Sequence, residues 1–94
     1  MKAKSKVILN VKMTVGESHN VAAVLPGTDL KDEYLVFTAH WDHFGIGTPI
    51  DGDSIYNGAS DNASGVATLM LLAKKYQSLP VHPRRSIVFV AVTS

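Results

Sequence analysis

Apolar and polar residues alternate from Leu9 to Val15 within the stretch Lys6 to Val15, which predicts a strand with one wet face, ended by Gly16. Asn20 to Leu25 is a second strand, stopped by the turn-forming pair Pro26-Gly27. The polar run Thr28 to Glu33 reads as a surface loop. Tyr34 to Ala39 is almost continuously apolar and β-prone, the pattern of a central strand covered on both faces. His40 to Ser60 carries Gly, Asp and Pro with few core formers, so it reads as a long loop of the kind that usually carries function.

From Asn62 to Leu79 the period becomes helical. Val66, Leu69, Met70, Ala73 and Tyr76 form the apolar stripe, and Lys74, Lys75 and Gln77 face water. The stretch Ala63 to Ala73 is apolar nearly all round, which predicts deeply buried first turns. Asp61, Asn62 and Ser64 are candidate N-caps, and Pro80 and Pro83 close the helix. Ser86 to Thr93 is a last, Val-rich strand. The order is β-β-β-α-β, an α/β chain ending in a strand–helix–strand unit whose crossover is right-handed and whose strands are parallel. One helix cannot cover both faces of a doubly buried sheet, so the chain reads as a fragment or as one that assembles with something.

Composition narrows the functional classes. With 94 residues there is room for one domain, 46% of it hydrophobic and 18% charged, which argues against disorder. A net charge of +1 gives no basic field for nucleic acid. The absence of Cys removes disulfides, thiolate zinc sites and Cys nucleophiles. No apolar run reaches the roughly 18–20 residues that span a bilayer, and the basic start lacks the apolar core of a signal peptide.

Chemistry concentrates in two clusters. His40-Trp41-Asp42-His43 follows the Tyr34–Ala39 strand, at the carboxyl end where open α/β sheets bind ligands. Neutral imidazole is a common metal ligand, and a ligating His donates its other N–H to a partner that fixes its orientation. Asp42 can do this where the loop turns back. The alternative, a solvated polar loop, explains the same short pattern about as well. The second cluster, Asn57-Gly58-Ala59-Ser60-Asp61-Asn62-Ala63-Ser64-Gly65, reads first as a capped helix start. Its other reading has Asp61 presenting a carboxylate to a cation, brought back beside His40 by the intervening loop. His43 is a loop histidine or a substrate contact. His19 and His82 lie beside turns, and Asp51 and Asp53 flank Gly52 as turn residues. Asn62-Ala63-Ser64 fits a glycosylation pattern at a helix start unsuited to modification. No Gly-x-Ser-x-Gly elbow supports a serine hydrolase.

Taken together, these stretches, with Asn20–Gly27 and Arg85–Thr93, resemble the zinc-dependent exopeptidases of the M28 family, the aminopeptidase type. The resemblance covers Leu9 to Ser94. It implies a three-layer α/β/α sandwich around a mixed, mainly parallel sheet, of which residues 1–94 form the N-terminal part of the catalytic domain. It further implies His40 as a ligand of one zinc, Asp61 as the carboxylate bridging two, and Asp42 as the carboxylate orienting His40. The substrates implied are peptides with a free N-terminus or related amides. In the family a Glu-Glu pair, general base and zinc ligand, follows the strand matching Ser86–Thr93, with an Asp and a His ligand later. Here the chain stops at Ser94, so the resemblance implies an incomplete site and an inactive isolated chain. The start also reads as cut, with Met1 an engineered or alternative beginning. A secreted or periplasmic location follows from resemblance alone. Two competing readings are a non-catalytic binding module that keeps the fold, and a domain that self-associates through its uncovered sheet face.

Overall fold

A computed structural model describes residues 3–93; Met1 and Ser94, on which the reading of the two ends rests, lie outside them. The elements are β1 (Val21–Leu25), β2 (Leu30–His40), β3 (Gly45–Ile50), β4 (Asp53–Tyr56), α1 (Ser64–Gln77) and β5 (Arg85–Val92). The main sheet has the order β1-β5-β2, and β3-β4 form a separate hairpin. β5 lies parallel to β2, as a helical crossover requires, and antiparallel to β1. The sheet is therefore mixed, with one parallel and one antiparallel pair.

Four sequence expectations change. Residues 6–15 form no strand and lie exposed. The segment read as one long loop after His40 contains the β3–β4 hairpin, so the order is β-β-β-β-α-β. Asp51 and Gly52 at its tip both take positive φ, 52° and 87°, the geometry of a two-residue turn that matches strand twist. Asp-Gly was the signal, masked because Gly45-Ile46-Gly47-Thr48-Pro49 carries no strand-like alternation. The polar run Thr28–Glu33 is only partly loop: Leu30 pairs with Arg85, and Tyr34 with Ser86, so residues 31–33 bulge out of the ladder.

The fourth change concerns burial. α1 covers one face of the sheet, where Leu69, Ile87 and Phe89 form the core with Leu25, Phe37, Leu72, Ala73 and Tyr76 against it. The helix stripe is thus Leu69, Leu72, Ala73 and Tyr76, while Met70 is exposed and Leu69 is the one helix residue that is buried. Its first turns are not deeply buried. Tyr34, Leu35 and Val36 are about half exposed, so β2 is not covered on both faces and no second helical layer is present among the described residues. Phe37 stacks on Phe89 with ring centroids 5.8 Å apart, and Tyr76 closes on both rings. Among the described residues, no helix is long and apolar enough to cross a membrane.

A candidate metal centre at the ends of two strands

His40 is the last residue of β2, and Asp61 sits in the wide turn Ala59–Ala63 that leads into α1. The turn closes where the Ala63 N–H donates to the Gly58 carbonyl at 3.0 Å. Asp61 (φ −117°, ψ 91°) and Asn62 depart from helical geometry, and the peptide bond between them is cis. Of the three candidate caps, Asn62 serves: its side-chain oxygen accepts the Gly65 N–H at 3.0 Å. A Cβ on Gly65 would run into that side chain. Gly58 takes φ 66°, and a Cβ there would meet the His43 ring and the Asp61 carbonyl at 2.8 Å. Both glycines are therefore fixed by close approach, which holds Asp61 outside the helix and free of the capping duty.

This local geometry brings the two sequence clusters together. His40 Nε2 lies 3.0 Å from Asp61 Oδ1. His40 Nδ1 lies 3.1 Å from the backbone carbonyl of Asp42 and 3.7 Å from its carboxylate. The nearest orienting group is thus the main-chain oxygen of Asp42, with the side chain just beyond hydrogen-bond reach. With Nδ1–H donated to that carbonyl, Nε2 is left as a lone pair facing a carboxylate oxygen. A lone pair and a carboxylate oxygen at this distance are a pair that a bound metal ion would satisfy, as a proton on Nε2 would in the other tautomer. The donor set therefore fits a metal in kind. In number it falls short: among the described residues no group of three or more His, Asp or Glu side chains is placed to hold an ion.

The pair opens into a cleft of about 590 Å³ that His43 and Phe44 wall, together with the end of β5. His43 is tied through Nδ1 to the Tyr56 carbonyl at 3.1 Å and packs edge-on against Phe44, with centroids 4.8 Å apart. It fixes the hairpin to the loop that carries Asp61. Phe44 had no signal in the sequence beyond its place after His43. The structure keeps His19 and His82 out of this cleft; the His19 carbonyl instead accepts the Trp41 indole N–H at 3.2 Å. Asp53 caps the hairpin by accepting the Ile55 N–H at 2.8 Å.

No solved structure matches the chain significantly. The profile of peptidase family M28 matches residues 20–94. That match runs through every strand and the helix of the fold and takes in His40, Asp42 and Asp61, so the chain belongs to peptidase family M28, a family of peptide-bond hydrolases.

Proposed function

We propose that the chain contributes His40 and Asp61 to the co-catalytic two-zinc centre of an aminopeptidase-type hydrolase. Its substrates are peptides with a free N-terminus or related amide-bearing molecules. The observation that carries the reading is the 3.0 Å approach of His40 Nε2 to Asp61 Oδ1 at the floor of the cleft. His40 would hold zinc through its imidazole and Asp61 through its carboxylate. Zinc bound there supplies Lewis acidity toward the scissile carbonyl and lowers the pKa of water. This chain's own residues supply orientation. The Asp42 segment fixes which imidazole nitrogen faces the ion, and the His43–Phe44–Tyr56 packing holds the loop that presents Asp61.

Catalytic zinc takes about three protein ligands and structural zinc four. Among the described residues His40 and Asp61 are the ligand candidates brought together, which implies weak zinc uptake and no turnover by these residues alone. Titration calorimetry with zinc checks the first point: weak binding, abolished by both His40→Ala and Asp61→Ala, is expected. Equal uptake by both variants would remove the site. Hydrolysis of an aminoacyl chromogenic substrate by the purified chain, lost in His40→Ala, would overturn the second.

A self-associating, non-catalytic module is the second reading. Its support is the sheet face turned away from α1, where Val24 and Val36 are more than half exposed beside the partly buried Val88 and Val90.

A further inference from the structure

Just before the turn that delivers Asp61 stands a pair of residues that can react with each other. Asn57 is followed by Gly58. In such a pair the backbone nitrogen of the second residue reaches the side-chain amide carbon of the first with least obstruction, because Gly has no Cβ to crowd the approach. Asn57 is exposed. Its Nδ2 donates to the Ile55 carbonyl at 3.2 Å, and among the described residues nothing bonds its amide oxygen or the Gly58 N–H. The other three asparagines are protected. Val follows Asn10 and Asn20, and its branched Cβ crowds the attacking nitrogen. Asn20 Oδ1 also accepts the Thr93 N–H at 3.0 Å. At Asn62 both reacting groups are engaged: Oδ1 accepts the Gly65 N–H, and the Ala63 N–H donates to the Gly58 carbonyl, each at 3.0 Å.

We infer that Asn57 is a site of spontaneous deamidation, and that its isoaspartyl product displaces the turn carrying Asp61. The deprotonated Gly58 nitrogen attacks Cγ of Asn57. A C–N bond forms, the Cγ–Nδ2 bond breaks, and Nδ2 leaves as ammonia with the proton that Gly58 gave up. Water then opens the cyclic imide. Opening at the side-chain carbonyl leaves an aspartate in a normal backbone. Opening at the main-chain carbonyl leaves an isoaspartate, whose backbone runs through Cγ and is one carbon longer. Water is the co-reactant consumed and ammonia the product released. The extra carbon enters directly before a residue with no room to move. A Cβ on Gly58 would already meet the His43 ring and the Asp61 carbonyl at 2.8 Å, and the Gly58 carbonyl closes the turn Ala59–Ala63 by accepting the Ala63 N–H. Lengthening the chain there pushes on the turn that sets Asp61 3.0 Å from His40. Either product also adds one negative charge to a chain whose net charge is +1, and a net charge near zero favours association.

Incubation of the purified chain for days at mildly alkaline pH, followed by peptide mapping with mass spectrometry, tests the site. Amide loss at Asn57 should run at least about tenfold ahead of Asn10, Asn20 and Asn62. Isoelectric focusing should show a more acidic species that Asn57→Gln abolishes. Isomerisation at Asp51-Gly52 changes no charge and does not enter that readout. Equal amide loss at all four asparagines, or an acidic species that persists in Asn57→Gln, would overturn the site. The displaced turn is read by hydrogen exchange. In the isoaspartyl fraction the Ala63 amide should exchange at least about tenfold faster than in fresh chain, while Asn57→Asp, which adds the charge without the extra carbon, should leave it unchanged. An Ala63 amide equally protected in the isoaspartyl fraction would overturn the displacement. Where fresh chain binds zinc, the isoaspartyl fraction should bind it about tenfold less tightly. Failure of fresh chain to bind zinc counts against the metal centre proposed above and not against this site, since mass, charge and exchange need no metal.

Discussion

Ser86 shows how much one side chain carries in so small a core. It is 3% exposed, donates to the Lys31 carbonyl at 2.6 Å, and accepts the Gly27 N–H at 3.0 Å. It thereby fixes both the turn after β1 and the bulge at the start of β2. Ser86→Ala strands both backbone groups and should cost about 1–3 kcal/mol, read as a lower midpoint in denaturant. Asp29 acts at the surface of the same corner. The Arg84 guanidinium, hydrogen-bonded to it at 2.8–3.0 Å, holds its carboxyl below the ordinary value of 3.8. A lowered folded-state pKa stabilises above the unfolded value and is lost as pH falls through the folded one. The Tm advantage of wild type over Asp29→Asn should therefore be constant above about pH 5 and vanish on acidification. The sequence placed His40, Asp42 and Asp61 in two clusters, and their meeting was an expectation of loop length. Which oxygen of Asp42 faces the imidazole was beyond it, because that depends on how Trp41 bonds to Val92 across the strand ends.

At the scale of elements, legibility followed the strength of local signals. β1, the core of β2, α1 and β5 were readable from apolar periodicity and Pro/Gly punctuation. The hairpin was not, since its first strand is exposed throughout and no buried face imposes alternation on it. The opposite failure occurred at residues 6–15, where a clear period of two has no partner in the described fold. Met70 misled for a related reason: helical period alone cannot tell a stripe facing a sheet from one facing an open groove. The start of α1 gives a direct check. Asn62→Ala removes the oxygen that accepts the Gly65 N–H and should destabilise by about 1 kcal/mol, measured by thermal unfolding. The same change should loosen Asp61 and weaken zinc uptake without touching a ligand.

Over the whole molecule, surface is the governing quantity. The chain exposes 8225 Å², where a compact protein of 10.1 kDa exposes about 5300 Å². Its radius of gyration is 20.8 Å against about 12 Å for a compact chain of this length. Part of the excess is the exposed segment before β1, and part is the apolar face opposite α1. If that face drives self-association, average mass by light scattering should rise with concentration, and Val24→Lys/Val36→Lys should hold it at one chain. A concentration-independent mass in the unaltered chain would count against the self-association reading.

β5 is the central strand of the main sheet, and both of its neighbours come from far upstream: Val21 lies opposite Ala91, and Leu30 opposite Arg85. β1 and β2 do not pair with each other. During synthesis, then, the hairpin and α1 can form from local contacts as they emerge, but β1 and β2 can be joined into one sheet only once β5 has left the ribosome. Until then two β-prone strands wait with open edges, and the loop closures that join them are long. Joining the sheet thus waits for its central strand, and aggregation competes with folding for as long as those edges stay open.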